Sequence, residues 1–227
     1  MPVVCGRIAT TTPLEQIAQA VGARGPLPPW RPRYNQPPGE PIPNVIEEGG
    51  ERRIAAIVWG LPTRHGSRYI NVTAEKLARS AGYTPGRSLI FVDGFYEWDK
   101  RRRQPYYIRA RNGHPLPLAA VVGSAGRPGC AVITTAANDA IARVHHRMPA
   151  VIPRAAWDAW LDPAWTDRAQ LHALLRPWPL EWIELYPVSK AANNPRHDAP
   201  DSIAPDPAAC AREAVGAIPD AATQRGE

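Results

Sequence analysis

Between Thr12 and Gly22 the apolar residues Leu14, Ile17, Ala18 and Val21 recur at three- and four-residue intervals, which predicts a helix with one apolar stripe. Thr12 and Glu15 read as a capping box, Pro13 fits the first turn, and Gly22 ends the run. The pattern then breaks. Residues 26–43, PLPPWRPRYNQPPGEPIP, carry too many prolines for a helix interior or a central strand, so an extended, ordered surface loop is expected there. From Ile54 onward come short apolar runs: IAAIVWG, SLIFV, FYEW, YYIRA, LPLAAVV and CAVITT, each bounded by Gly, Pro or Asn, which reads as a series of strands.

Helical spacing returns only in short pieces. TAEKLARSAG predicts a short helix ending near Gly82, NDAIARV another before His145, and RAAWDAWLD and TDRAQLHALL two amphipathic helices near the end. WIELYPVS reads as a late strand, and DKRRRQP, residues 99–105, as a basic hairpin tip. Many short strands with peripheral helices predict an α+β fold rather than a doubly wound parallel sheet. The domain reading is a single unit over residues 5–205, with 1–4 set apart. Residues 206–227, rich in Ala, Pro and Asp without a sustained period, read as a mostly disordered tail.

Composition changes this picture in three ways. The net charge is +6, supplied almost wholly by arginine, with Lys76, Lys100 and Lys190 the only lysines. A guanidinium binds phosphate oxygens in a fork, which suits a nucleic acid; GC-rich codons, which also encode Ala and Pro, give the same bias without any such partner. No run of about eighteen apolar residues suggests a membrane span, and the first residues lack the pattern of a secretory signal. Cys5, Cys130 and Cys210 are an odd number without metal-ligand spacing, which predicts a reduced, cytoplasmic setting, no metal, no cofactor and at most one working thiol.

Phosphate-loop, zincin and serine-elbow motifs are missing. Four polar clusters stand in apolar or proline-rich settings instead: Cys5–Arg7 (CGR), Arg33–Asn35 (RYN), Gly94–Trp98 (GFYEW) and His145–Pro149 (HHRMP). Glu97 among aromatics could be a desolvated acid–base group, or a carboxylate on an exposed strand face, which is the plainer reading. His145 or His146 could shuttle a proton, though a solvated loop histidine is the commoner case. Asn35 could equally hold a turn.

Taken in order, CGR, RYN-x-x-P, WG-L, N-x-x-A-E, GFYEW and H-x-RMP resemble the SOS response-associated peptidase family, sensors of abasic sites in single-stranded DNA. The likeness runs from Cys5 to about Pro205, and PVSKAANNPRHDAPDSI resembles the family's closing segment. It implies a curved sheet or open barrel of mainly antiparallel strands. It also implies an N-terminal cysteine whose amine attacks the sugar aldehyde and whose thiol closes a thiazolidine, with autopeptidase and lyase-type activities alongside. Carried over by motif, Cys5 is the nucleophile, Asn35 orients the linkage, Glu97 moves protons and His145 assists sugar ring opening. Arg7, Trp59, Asn71 and Arg147 line the DNA groove. The partner implied is single-stranded DNA bound by a monomer, with no membrane. An α-amine with a pKa of about 7.7–8.0 is roughly a tenth neutral at pH 7, so it is the better nucleophile than a lysine.

Two departures matter. The family's arginine in N-A-R-A-E is Thr73 here, with Arg64, Arg68 and Arg79 as nearby replacements. More seriously, Cys5 follows Met1–Val4 and so has no free amine as written; a cysteine inside a chain gives only a reversible thiohemiacetal with an aldehyde. Three readings stay open: Val4 is a GTG start codon, the chain cleaves itself before Cys5, or the chemistry has been lost. The expectation is that the working protein begins at Cys5. A thiol peptidase using Cys5 with His145, and a non-catalytic single-strand-binding module, are the competing functions.

Overall fold

The computed structural model describes residues 5–63, 66–79, 86–99, 101–124, 126 and 128–216. Fourteen short strands, six α-helices and four short 3-10 helices are seen among them. The strands are β1 (Ile8–Thr10), β2 (Arg33–Gln36), β3 (Pro41–Glu48), β4 (Glu51–Val58), β5 (Leu61–Pro62), β6 (Arg68–Tyr69), β7 (Asn71–Thr73), β8 (Arg87–Val92), β9 (Gly94–Asp99), β10 (Gln104–Ala110), β11 (Leu116–Val122), β12 (Cys130–Ala136), β13 (Arg147–Pro149) and β14 (Ile183–Pro187). The helices are α1 (Leu14–Val21), α2 (Ala74–Arg79), α3 (Asp139–Ala142), α4 (Trp157–Leu161), α5 (Arg168–Ala173) and α6 (Pro207–Gly216).

Two open sheets carry the α+β fold. One is antiparallel, in the order β14-β10-β9-β1-β2; the other runs β13-β12-β11-β8-β3-β4, with β7 added parallel to β12. Neither closes into a barrel. Alternation along the strands explains their near-continuous apolar runs, because both faces are covered. Ile90, Val92, Leu118, Ala120 and Val132 point from the larger sheet toward Ile8, Phe95 and Ile108 of the smaller one, and together they form the core between the sheets. Leu89, Ala119, Val121 and Ile133, on the opposite face, pack under α1, α4 and α5 through Leu14, Ile17, Trp160 and Leu171. The outer face of the smaller sheet buries Tyr96 and Tyr107 beneath Val188 and Ala192.

The chain passes between the sheets at Asp93, whose carboxylate accepts the N–H groups of Thr11 and Thr12 and the Thr12 hydroxyl. That contact corrects the expected capping box. Thr12 is drawn to Asp93, Pro13 takes the N-cap position without a side-chain bond, and α1 starts at Leu14. Gly22 ends it in the left-handed region, at φ 68°.

Two further expectations change. The proline-rich segment contains β2 and most of the first half of β3. Glu40 carbonyl accepts Trp59 N–H at 2.9 Å, so even-numbered residues of β3 make the bonds to β4. Pro41 and Pro43 fall at alternate positions whose missing N–H points away from β4, and β8 pairs with β3 only at Val45. The expected disordered tail does not hold for residues 207–216, which form α6, capped by Asp206 through Ala208 and Ala209 N–H. Residues 217–227, like 1–4, Arg64 and the expected helix end near Gly82, lie outside the described residues.

Candidate active site

Three residues ahead of β1, the chain lies against the end of β9. Ile8 pairs with Phe95, and Tyr96 N–H donates to Arg7 carbonyl at 3.0 Å, a register that carries Cys5 alongside Glu97. The Cys5 nitrogen donates to Glu97 Oε1 at 2.6 Å. Both residues are buried, at 0% and 2% exposure, so the reading of Glu97 as an exposed strand carboxylate fails. The pleat explains why: Phe95 and Glu97 share the side of β9 that faces the inter-sheet core, while Tyr96 and Trp98 point to the outer face. Cys5 takes φ +46°, a left-handed conformation that a non-glycine residue adopts only when its surroundings impose it. Burial, and then the Glu97 charge, push the Cys5 thiol well above its ordinary range, so it is held protonated.

Asn35 sits in β2, fully buried. Its Oδ1 accepts from Arg7 Nη1 at 2.8 Å, and its Nδ2 lies 3.1, 3.1 and 2.9 Å from the carbonyls of Ala192, Asn194 and His197. The asparagine therefore ties the opening of the chain to its closing segment rather than holding a local turn. Asp198 completes the clamp, accepting Tyr34 N–H at 2.6 Å, Asn35 N–H at 2.9 Å and the Arg33 guanidinium. Burial opposes ionisation of Asp198, but these donors outweigh it and hold its carboxyl below the usual range. No motif pointed to Asp198; its only sequence signal was its place in the closing segment. Arg7 lies over Trp98, with its guanidinium carbon 5.8 Å from the ring centroid.

His145 follows α3 and is buried, whereas its neighbour His146 is exposed; their rings stack at 4.5 Å. The Arg147 N–H donates to His145 Nδ1 at 3.1 Å, and the same ring nitrogen lies 3.3 Å from the Arg147 carbonyl, so the ring is oriented by the Arg147 backbone. Arg147 itself is gripped by Glu75 through two bonds of 2.8 and 2.9 Å and donates to Thr134 carbonyl at 2.6 Å. The Arg147 contact lowers the Glu75 carboxyl to about 2. His145 lines a cavity of about 650 Å³ that Tyr106 also lines, and Tyr106 is the cross-strand partner of Glu97. The structure thus joins Cys5 to Glu97 and, two residues along, Arg7 to Asn35, while His145 is linked to them through the cavity wall that it shares with Tyr106.

The four residues expected to line a DNA groove differ in exposure. Arg7, Asn71 and Arg147 are half-buried. Trp59 is fully buried in the core between the sheets, with its indole N–H donating to Ile70 carbonyl at 2.9 Å, so it is not presented to a bound strand. Thr73 accepts Lys76 N–H at 3.2 Å and caps α2, while Arg68 donates to Gly60 carbonyl at 2.9 Å. Among the described residues, no group of three His, Cys, Asp or Glu side chains is placed to hold a metal ion, and no helix is long and apolar enough to cross a membrane.

Solved structures share this architecture. A phage-related protein from Bordetella bronchiseptica superposes with a TM-score of 0.68 at 30% identity, covering 81% of this chain and 94% of that one. A protein from Bacteroides thetaiotaomicron gives 0.74 at 18% identity, covering 89% and 100%. The class is an α+β protein of two open sheets with a buried cysteine just ahead of β1. The family model described as SOS response associated peptidase (SRAP) matches residues 4–195, and the chain belongs to that family. It is 28% identical over 221 residues to the abasic site processing protein YoqW of Bacillus subtilis (strain 168), covering 88% of this chain and 99% of that protein. Abasic site processing protein YedK of Escherichia coli (strain K12) is 26% identical over 187 residues, covering 76% and 84%. HMCES of Gallus gallus, an abasic site processing protein too, is 26% identical over 263 residues, covering 89% and 78%.

Proposed function

We propose that this chain processes abasic sites in DNA, and that it does so by covalent attachment through Cys5. The 2.6 Å contact between the Cys5 nitrogen and Glu97 carries the reading. With the Val4–Cys5 bond absent, that nitrogen is an α-amine, and Glu97 is placed to take a proton from its ammonium form. The neutral amine adds to the aldehyde carbon of the opened sugar. Glu97 returns the proton to the hydroxyl, which leaves as water, and a Schiff base remains. The thiol sulfur then adds to the imine carbon while its proton passes to the nitrogen, closing the thiazolidine with no further cost of bringing the groups together. A thiol held protonated suits this order, amine first and sulfur second. It gives no support to a thiol peptidase, which needs a thiolate from the start. His145, its ring oriented by the Arg147 backbone, suits proton delivery to the sugar ring oxygen. Arg7 and Arg147 offer charge to the flanking phosphates.

A chain beginning Met-Cys-Gly-Arg, once its methionine is removed, should form a heat-stable adduct with abasic single-stranded DNA. Cys5→Ala in the same chain should keep a Schiff base trappable by borohydride but lose the stable ring. Glu97→Gln should slow adduct formation by about 100-fold. Equal crosslinking by the full chain, shown by mass to retain Met1, would overturn the mechanism.

A further inference from the structure

The cavity that His145 lines is walled mainly by residues outside the Cys5–Glu97 contact. It is walled by the turn after β9, by the residues following α3, by Leu185 of β14 and by α6. Arg101, Arg102, Arg143 and Arg212 line it, together with His145 and His146. Two carboxylates are also present, and both are engaged. Asp99 accepts the N–H groups of Arg101 and Arg102 at 2.8 and 3.2 Å and stands 3.9 Å from the Arg102 guanidinium. Glu213 accepts the Tyr106 hydroxyl. Among the described residues, Arg101, Arg143 and Arg212 have no carboxylate partner, in contrast to Arg147 on Glu75 and Arg33 on Asp198. Four guanidinium groups against two occupied carboxylates leave a cationic hollow, and forked N–H donors in such a hollow match phosphate oxygens.

The hollow neighbours the proposed reaction centre. Tyr106 forms its wall and lies directly across the strand pair from Glu97, and His145 lines it too. We propose that this cavity is a phosphate-binding subsite for the single strand, holding a backbone phosphodiester on one side of the abasic nucleotide. The proposal rests on the reading given under Proposed function, and it assigns a role to three arginines of the hairpin tip and the α3 end that the family motifs leave out.

Binding of an undamaged single-stranded oligonucleotide, followed against salt, tests it without requiring any crosslink. Arg143→Ala and the double variant Arg101→Ala/Arg102→Ala should each weaken binding several-fold. The slope of log affinity against log salt should fall by about 0.7 for each lost phosphate contact. Arg143→Glu should weaken binding further, and Arg24→Ala, whose partner is Glu51, should change nothing. Matching melting temperatures exclude misfolding, since the exchanged side chains are exposed. Oligonucleotides with one neutral methylphosphonate linkage, moved stepwise along the strand, identify the source of the phosphate. One position should weaken binding to the parent chain but not to Arg143→Ala. A flat scan combined with competition by inorganic phosphate would assign the cavity to a free phosphate and overturn the strand subsite. Arginine variants that behave like Arg24→Ala would overturn it outright. Adduct formation by the chain starting at Cys5, measured separately, distinguishes the two ideas. An adduct with unchanged arginine variants leaves the reaction standing and the subsite refuted; binding losses without any adduct do the reverse.

Discussion

Asn35 has both ends of its amide in use, accepting from Arg7 and donating toward three carbonyls of the closing segment. Removing it strands those buried carbonyls as well as deleting its own bonds. Asn35→Ala should therefore lower unfolding free energy by about 2–3 kcal/mol, read as a shifted denaturant midpoint at unchanged slope. A midpoint within error of the parent would mean that water replaces the amide. This role was not legible in the sequence. The RYN motif marked the residue, but its partners lie 157 to 162 residues away, and a proline-flanked asparagine fits a turn equally well. Glu97 was ambiguous for a related reason: strand alternation showed that it shared a face with Phe95, not which face the fold would bury.

At the scale of elements, the GFYEW strand was legible because its signals are local: aromatic alternation, a basic turn after it and a second strand beyond. Its first residue has a steric role as well. A Cβ on Gly94 would overlap the Tyr107 phenol and stand 2.6 Å from the Ile108 carbonyl oxygen. Gly94→Ala should cost about 3 kcal/mol by overpacking, visible as a lower melting temperature. A melting temperature like the parent's would show that β10 can give way. The prolines of β3 and the helix α6 were misread for opposite reasons. Proline forbids a strand only where its N–H is needed, and Pro41 and Pro43 fall where it is not. In α6 the described side chains bury little beyond Ala209, so no apolar stripe announced the helix.

For the whole molecule, the two sheets share one core, yet the reaction site hangs on the clamp between β2 and the segment after β14. Asp198 holds that clamp as a carboxylate whose folded pKa is depressed. Its contribution is fully present above the ordinary carboxylate value and is lost as pH falls through the lower folded value. As pH falls below the ordinary carboxylate value, amide exchange at Tyr34 and Asn35 should quicken before that of the core strands, and Asp198→Ala should produce the same loosening at neutral pH. Simultaneous exchange of clamp and core would refute this order. The overall α+β character was readable from strand and helix patterns alone, but the joining of β2 to the segment around Asp198 was not, because no local pattern encodes a contact spanning 163 residues.

That joining gives the protein a built-in timing. Translation delivers Cys5 to the tunnel exit first, Glu97 92 residues later and Asp198 last of the three. At about 5–20 residues per second, the ribosome needs on the order of ten to forty seconds between the first and the last. Through that interval a growing polypeptide carries the cysteine without its clamp, and for the first part without its proton acceptor. Under the proposed reaction, Glu97 and the clamp can act on Cys5 only after the closing segment has left the ribosome, so the site is assembled by completion of the chain and not during its synthesis.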